Sequence, residues 1–142
     1  MPEALRAARD AARRGEVPVG AVLVGPDGRR LSSGSNRTLR DTDPTAHAEI
    51  VTLRRAARRV GNHRLIGATL FCTLEPCSMC LGAMVQARIR RLVYGAADAK
   101  GGGIGHGRLN WSGANHRFSI LGGVLEEASA ELLRHFFRSR RR

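Results

Sequence analysis

Lysine is almost missing from this chain of 142 residues: Lys100 stands alone, so all but one of the 24 basic residues are arginine. Aromatic residues are scarce as well, at 4%, so aliphatic side chains and alanine must fill the core. No apolar run approaches the roughly 20 residues that a bilayer-spanning helix needs. The opening MPEALRAARD lacks the apolar stretch of a signal peptide. No membrane partner is therefore expected, and the cytoplasm is the expected compartment. Cysteine is limited to Cys72, Cys77 and Cys80, and an odd count in such a chain argues against a disulfide framework. Repeats and long linkers are also missing, so residues 1–142 are expected to form a single domain.

What the chain does have is positive charge, +12 in formal terms. A field of that strength favours nucleic acid, acidic ligands or anionic surfaces, and arginine matches phosphate geometry. The same arginine excess is equally compatible with a bias in the source genome, so charge by itself does not name a partner.

Periodicity and punctuation outline the fold. PEALRAARDAARR reads as a helix ending at Gly15, and residues 17–25 and 29–36 as two strands joined over Pro26-Asp27-Gly28. Residues 45–60 read as a helix capped by Thr45, with Ala46, Ile50, Leu53 and Ala57 towards one face and arginines on the other. A strand over 68–74, a helix over 77–89 and a strand over 90–96 follow. Residues 100–113 form a Gly-rich loop that contains no G-x-G-x-x-G and so is no nucleotide cradle. A short strand over 117–125 and a helix over 126–141, acidic at its start and basic at its end, close the chain. The alternation predicts a three-layer α/β/α sandwich around a central mixed sheet of about five strands.

Chemistry concentrates in two short stretches. Cys77 and Cys80 open a predicted helix behind Pro76, where one turn separates the thiols and the helix N-terminus favours thiolate. They can hold one zinc but supply only half of a tetrahedral shell; a redox pair shares this spacing. His47, at the start of another predicted helix, is the leading third ligand. Should the two helix starts converge at a sheet edge, a His-Cys-Cys set would leave one position open, as catalytic zinc sites do. Glu49 would then stand beside the metal without binding it, placed to take a proton from activated water. Cys72, in mid-strand, reads as a buried apolar thiol.

His47-Ala48-Glu49 followed by PCSMC fits the H-x-E…P-C-x-x-C signature of zinc-dependent nucleobase deaminases. More narrowly, EVPVGAV (16–22), DPTAHAEI (43–50), LEPCSMC (74–80), ANHR (114–117) and FFRSRR (136–141) resemble the bacterial tRNA-specific adenosine deaminases, over nearly the whole chain. The resemblance implies a cytidine deaminase-like fold, one Zn2+ per subunit on His47, Cys77 and Cys80, and Glu49 as the catalytic proton shuttle. It implies that Asn36 hydrogen-bonds the nucleoside and that the Ala48 backbone and the Val19 side chain line the pocket. The activity implied is hydrolytic conversion of the wobble adenosine in a tRNA anticodon to inosine, by a homodimer whose two subunits both contact the anticodon stem-loop.

The C-terminus agrees. Arg134, Arg138, Arg140, Arg141 and Arg142 lie beside Phe136 and Phe137, and guanidiniums with aromatic rings suit a splayed RNA loop. Phe137, Arg138, Arg140 and Arg141 are the expected RNA contacts, while one of the two phenylalanines is expected in the core. In the family the Gly-rich region approaches the anticodon loop, which adds His106, Arg108 and Asn110; Trp111 reads as a loop anchor. Two other readings stay open. One is a deaminase of a free base or nucleoside such as guanine, cytosine or adenosine; the other is a zinc-stabilised RNA-binding module without catalysis, for which Glu49 would have no use.

Overall fold

The computed structural model describes residues 1–109 and 112–141. Asn110, Trp111 and Arg142, named above, lie outside the described residues. In chain order the elements are α1 (Pro2–Arg13), β1 (Gly20–Val24), β2 (Arg30–Ser35), α2 (Ala48–Val60), β3 (Thr69–Leu74), α3 (Ser78–Ala87), β4 (Arg91–Ala96), β5 (Ser119–Leu121) and α4 (Glu126–Arg140).

The strands form one mixed sheet in the order β2-β1-β3-β4-β5. β1 runs antiparallel to both β2 and β3, whereas β3, β4 and β5 are parallel. The hairpin turns where expected: Arg29 N–H donates to the Asp27 carboxylate at 3.0 Å, and Gly28 takes the left-handed φ of 82° that a side chain would resist. α1 packs on β1 and β2 and meets α4, which covers β4, while α2 and α3 pack together on the opposite face. This is the three-layer sandwich expected.

Few aromatics means that aliphatic rows hold the layers. Leu23, Leu70 and Leu92 stand opposite one another on β1, β3 and β4, and all three are fully buried. Met84 and Leu81 of α3 and Ile89 join them in one cluster. Each fully buried aliphatic side chain contributes about 1.5–3 kcal/mol. On the other face, α1 presents Ala4 and Ala8 to Gly20, where an added Cβ would meet Ala8 N at 2.6 Å. Small residues on both sides let helix and strand approach closely.

Three local expectations are corrected. α2 begins at Ala48, and the position before it is His47, with extended φ −68° and ψ 154°; Thr45 caps nothing, since its hydroxyl and amide both donate to the Asp43 carboxylate at 2.7 and 2.8 Å. Likewise α3 begins at Ser78, so Cys77 precedes the helix in extended conformation. β5 spans only Ser119–Leu121; beyond it the Gly123 and Val124 N–H groups still donate to the Gly95 and Tyr94 carbonyls at 3.1 and 3.2 Å, and the chain reaches α4 through Leu125 at φ 52°. Replacing Leu70 by Ala at the centre of the cross-strand row is expected to cost about 2–5 kcal/mol in denaturant unfolding, and the same change at exposed Leu39 much less.

Candidate active site

β2 and β3 run the same way and end on the same side of the sheet, and the helices that follow them begin there. His47 leads into α2 and Cys77 into α3, so both helix N-termini converge above the C-terminal end of β3. β3 is the central strand, so the site lies at mid-sheet and not at the sheet edge expected from the sequence. Antiparallel β1 starts here too, its Gly20 N–H donating to the Thr73 hydroxyl at 3.1 Å, and Val19 accepts from Asn36 N–H at 3.1 Å.

His47 Nδ1 lies 3.6 Å from Cys77 Sγ and 3.6 Å from Cys80 Sγ. All three donor atoms fall within 4.8 Å of one another. A tetrahedral zinc with bonds of about 2.3 Å to sulfur and 2.0–2.1 Å to imidazole separates nitrogen from sulfur by about 3.6 Å. The geometry therefore fits the ion. The electrostatics agree: hydrogen bonds from Cys80 and His47 draw the Cys77 thiol down to about 3. Cys80 is pushed up by its hydrogen bond to Cys77 and by burial, and Cys77 also raises His47. One thiolate forms readily, and two can coexist at this distance only on a cation. It is the third donor, His47 Nδ1 at 3.6 Å from both sulfurs, that favours a metal site over the redox pair that the C-x-x-C spacing also allowed.

The same end of the sheet holds a pocket of about 180 Å3, lined by Val17, Val19, Asn36, Glu49, Glu75 and Asp98 together with His47 and Cys77. That is below the roughly 300 Å3 at which drug-sized sites begin. Glu49 is 4% exposed, and burial raises its carboxyl above the ordinary range. Cys72, fully buried, is no part of the metal-donor group but stands beside Glu49, a neighbour not foreseen from the sequence. Asn36 Oδ1 accepts the Ala48 N–H at 3.0 Å. This occupies the amide of Ala48, whose backbone the resemblance had set in the pocket lining, and leaves the Asn36 NH2 as the group available to a base. Ala48 itself does not line the pocket.

A groove of about 770 Å3 continues from the pocket and shares Val17, Leu74 and Asp98 with it; Phe137, Arg138 and Arg141 of the C-terminal segment line its far wall. Phe136 is the buried member of the ring pair, at 5.4 Å edge-to-face from Phe137. Arg140 turns the other way: its guanidinium stacks 4.5 Å over Phe136 and donates to Gly15 O at 2.9 Å, fastening α4 to the end of α1. Arg134 and Arg138 pair with Glu131. His106 bonds the Ala99 carbonyl and Arg108 donates to the Lys100 carbonyl at 3.3 Å, both inside the Gly-rich loop.

Two acidic residues escaped the sequence reading. Glu75, 3% exposed, accepts the N–H groups of Asp98, Ile104 and Gly105 at 3.2, 2.9 and 2.9 Å. Asp98 accepts those of Lys100 and Gly101 at 3.0 Å each. Together they wind the Gly-rich loop around the pocket. Gly102 has no room for a Cβ, which would strike the Glu75 carboxylate. The available signal was an acid ending an otherwise apolar strand run, ATLFCTLE.

A His-Cys-Cys set with an open position, a buried carboxylate beside it and an α/β/α frame together define the class of zinc-dependent base deaminases. Residues 1–96 match the family model for the cytidine and deoxycytidylate deaminase zinc-binding region. The tRNA-specific adenosine deaminase of Agrobacterium fabrum is 50% identical over 99% of this chain and 93% of its own. A structure described as a study of A-to-I editing by tRNA:A34 deaminases at the wobble position of transfer RNA matches at 47% identity, TM-score 0.85, over 92% of this chain and 95% of that one. A guanine deaminase from Nitrosomonas europaea matches at 26% identity, TM-score 0.82, over 95% of this chain and 81% of that one. The chain belongs to the zinc-binding cytidine and deoxycytidylate deaminase family, on the side of the tRNA-specific adenosine deaminases.

Replacing Gly102 by Ala is expected to lower stability by about 1–3 kcal/mol in thermal or denaturant unfolding while leaving zinc content intact. The displaced loop should raise KM for the substrate, read by steady-state kinetics on the same sample.

Proposed function

We propose that this protein hydrolyses the wobble adenosine of a tRNA anticodon to inosine, releasing ammonia, with residues 1–142 acting as one deaminase domain. The observation that carries the reading is the continuity of the small pocket with the groove lined by Phe137, Arg138 and Arg141. A free base needs only the pocket. A base splayed from a polynucleotide needs a channel for the chain on either side, with aromatic and cationic walls.

His47, Cys77 and Cys80 would hold a zinc ion, which would supply Lewis acidity towards a water molecule. Glu49 takes one proton from the attacking water as its oxygen adds to C6 and delivers it to N1; it then carries the remaining hydroxyl proton to the amine, which leaves as ammonia as the C–N bond breaks and the C6 carbonyl forms. Burial helps here, because it raises the proton affinity of the Glu49 carboxyl above the ordinary carboxylate range. Asn36, its oxygen tied to Ala48, offers its NH2 to an acceptor on the base. Val19 and Leu74 form apolar walls that exclude bulk water.

The anticodon stem-loop is the inferred RNA element, the cytoplasm the inferred compartment and a second copy of the chain the inferred partner. A groove of about 410 Å3 between α2 and α3, with Ile50, Leu53, Leu65 and Ala87 as apolar lining and Arg54, His63 and Gln86 also on its walls, supports the last. No helix among the described residues is long and apolar enough to cross a membrane.

The test is incubation of zinc-loaded protein with a tRNA bearing adenosine at the wobble position, with inosine read by sequencing. Inosine at that position with little ammonia from free guanine, cytosine or adenosine is expected; the reverse pattern overturns the RNA reading in favour of a free-base deaminase. Glu49→Gln is expected to lower kcat by about 10²–10⁴ with one zinc still bound, measured by metal analysis beside the kinetics. Chelation of the metal should abolish turnover, and zinc should restore it.

A further inference from the structure

Outside the pocket and its groove, arginine gathers on the second half of α2. Arg54, Arg55 and Arg58 face the loop that carries Arg37 and Asp41 across a groove of about 290 Å3. These three share one side of the helix by their spacing of three and four residues. Their charges are only partly answered. Arg37 is held by Asp41 through two hydrogen bonds of 2.9 Å, and Arg54 reaches Asp43 at 3.4 Å. Among the described residues Arg55 pairs with no carboxylate and donates to Ser33 O at 2.9 Å, and Arg58 makes neither a hydrogen bond nor an ion pair.

Two features set this apart from an ordinary solvated helix face. First, the facing wall is built and fixed. Buried Glu16 accepts the N–H groups of Leu39 and Arg40 at 3.0 and 2.8 Å, and Arg37 N–H donates to Ala46 O at 2.9 Å. Second, that Arg37–Ala46 bridge is the partition between groove and pocket. Asn36 and His47, one residue along from each, line the pocket, while Arg37 and Ala46 line the groove. The C-terminal groove leaves the pocket by way of Val17, Leu74 and Asp98, away from this partition.

We propose that the α2 arginine groove is a second binding site for the RNA backbone, taking phosphates of the strand on the side of the flipped nucleotide opposite to the one held by Phe137, Arg138 and Arg141. This rests on the RNA reading above. Planar guanidiniums in a concave, preformed setting suit bidentate phosphate contacts. The contacts carry no base preference, so the groove would set affinity and orientation and leave base choice to the pocket.

The test compares wild-type protein with Arg58→Gln, Arg58→Lys and the double variant Arg55→Gln/Arg58→Gln, using a wobble-adenosine anticodon stem-loop over a series of KCl concentrations. Arg58→Gln removes no intramolecular bond among the described residues, so lost folding is not a confounder; zinc content and Tm on each sample check this. The dependence of log Kd on log[KCl] is expected to become shallower by about 0.7–1 for each arginine removed. The loss should appear in KM, and Arg58→Lys should recover most of the slope. An unchanged Kd and slope in the double variant overturns the proposal, as does a loss of affinity that is the same at every salt concentration. Absence of inosine with wild-type protein on the same RNA overturns the tRNA reading itself, whereas inosine with unaltered slopes in the variants overturns this inference alone.

Discussion

Three donor atoms must reach one ion, and that requirement organises the molecule. His47 and Cys77 occupy the residues just before two helices, in extended conformation, with Cys80 one turn into the second. For their donor atoms to sit 3.6 Å apart, α2 and α3 must start at the same height above the sheet. The aliphatic row of Leu23, Leu70 and Leu92 beneath them holds that height. The positive ends of both helices then face the thiolates, where a helix N-terminus favours negative charge. Losing the ion would leave two sulfurs and an imidazole competing for protons in a half-buried corner.

Three buried glutamates surround this point, and what donates to each separates their roles. Glu16 receives two backbone N–H groups and the Thr38 hydroxyl, and holds the loop after β2. Glu75 receives three backbone N–H groups and holds the Gly-rich loop. Both carboxylates are occupied by fixed donors of the loops they hold and serve as anchors. Glu49 is equally buried but, among the described residues, receives no comparable set of loop N–H groups, so burial dominates and lifts its carboxyl. It is the member of the three whose proton affinity suits transfer. Burial alone therefore does not mark the acid–base residue; poor compensation of its charge does.

Much of this was legible in the chain. The alternation of elements, the turn at Pro26-Asp27-Gly28 and the H-x-E…P-C-x-x-C spacing carried the fold and the donor set, because each rests on local chemistry. Four things were not legible. The mid-sheet position of the site depends on β1 inserting antiparallel between β2 and β3, a tertiary choice. Arg140 read like its neighbours, yet it fastens α4 to α1, since guanidiniums that bind phosphate and those that cap a carbonyl look alike in sequence. Ala48 loses its amide to Asn36, 12 residues away. Glu75 and Asp98 act on a loop more than 20 residues beyond Glu75, in which close contact demands the glycine at position 102.

The account stands on water being the attacking group, with the metal and Glu49 cooperating at C6 of an adenine held in RNA. The most direct measurement is deamination of a wobble-adenosine stem-loop in ¹⁸O-enriched water, with mass analysis of the released nucleoside and ammonia determined in parallel. One ¹⁸O atom in each inosine and one ammonia per inosine are expected. Unlabelled inosine, or ammonia released from free bases while the RNA stays unmodified, would contradict it.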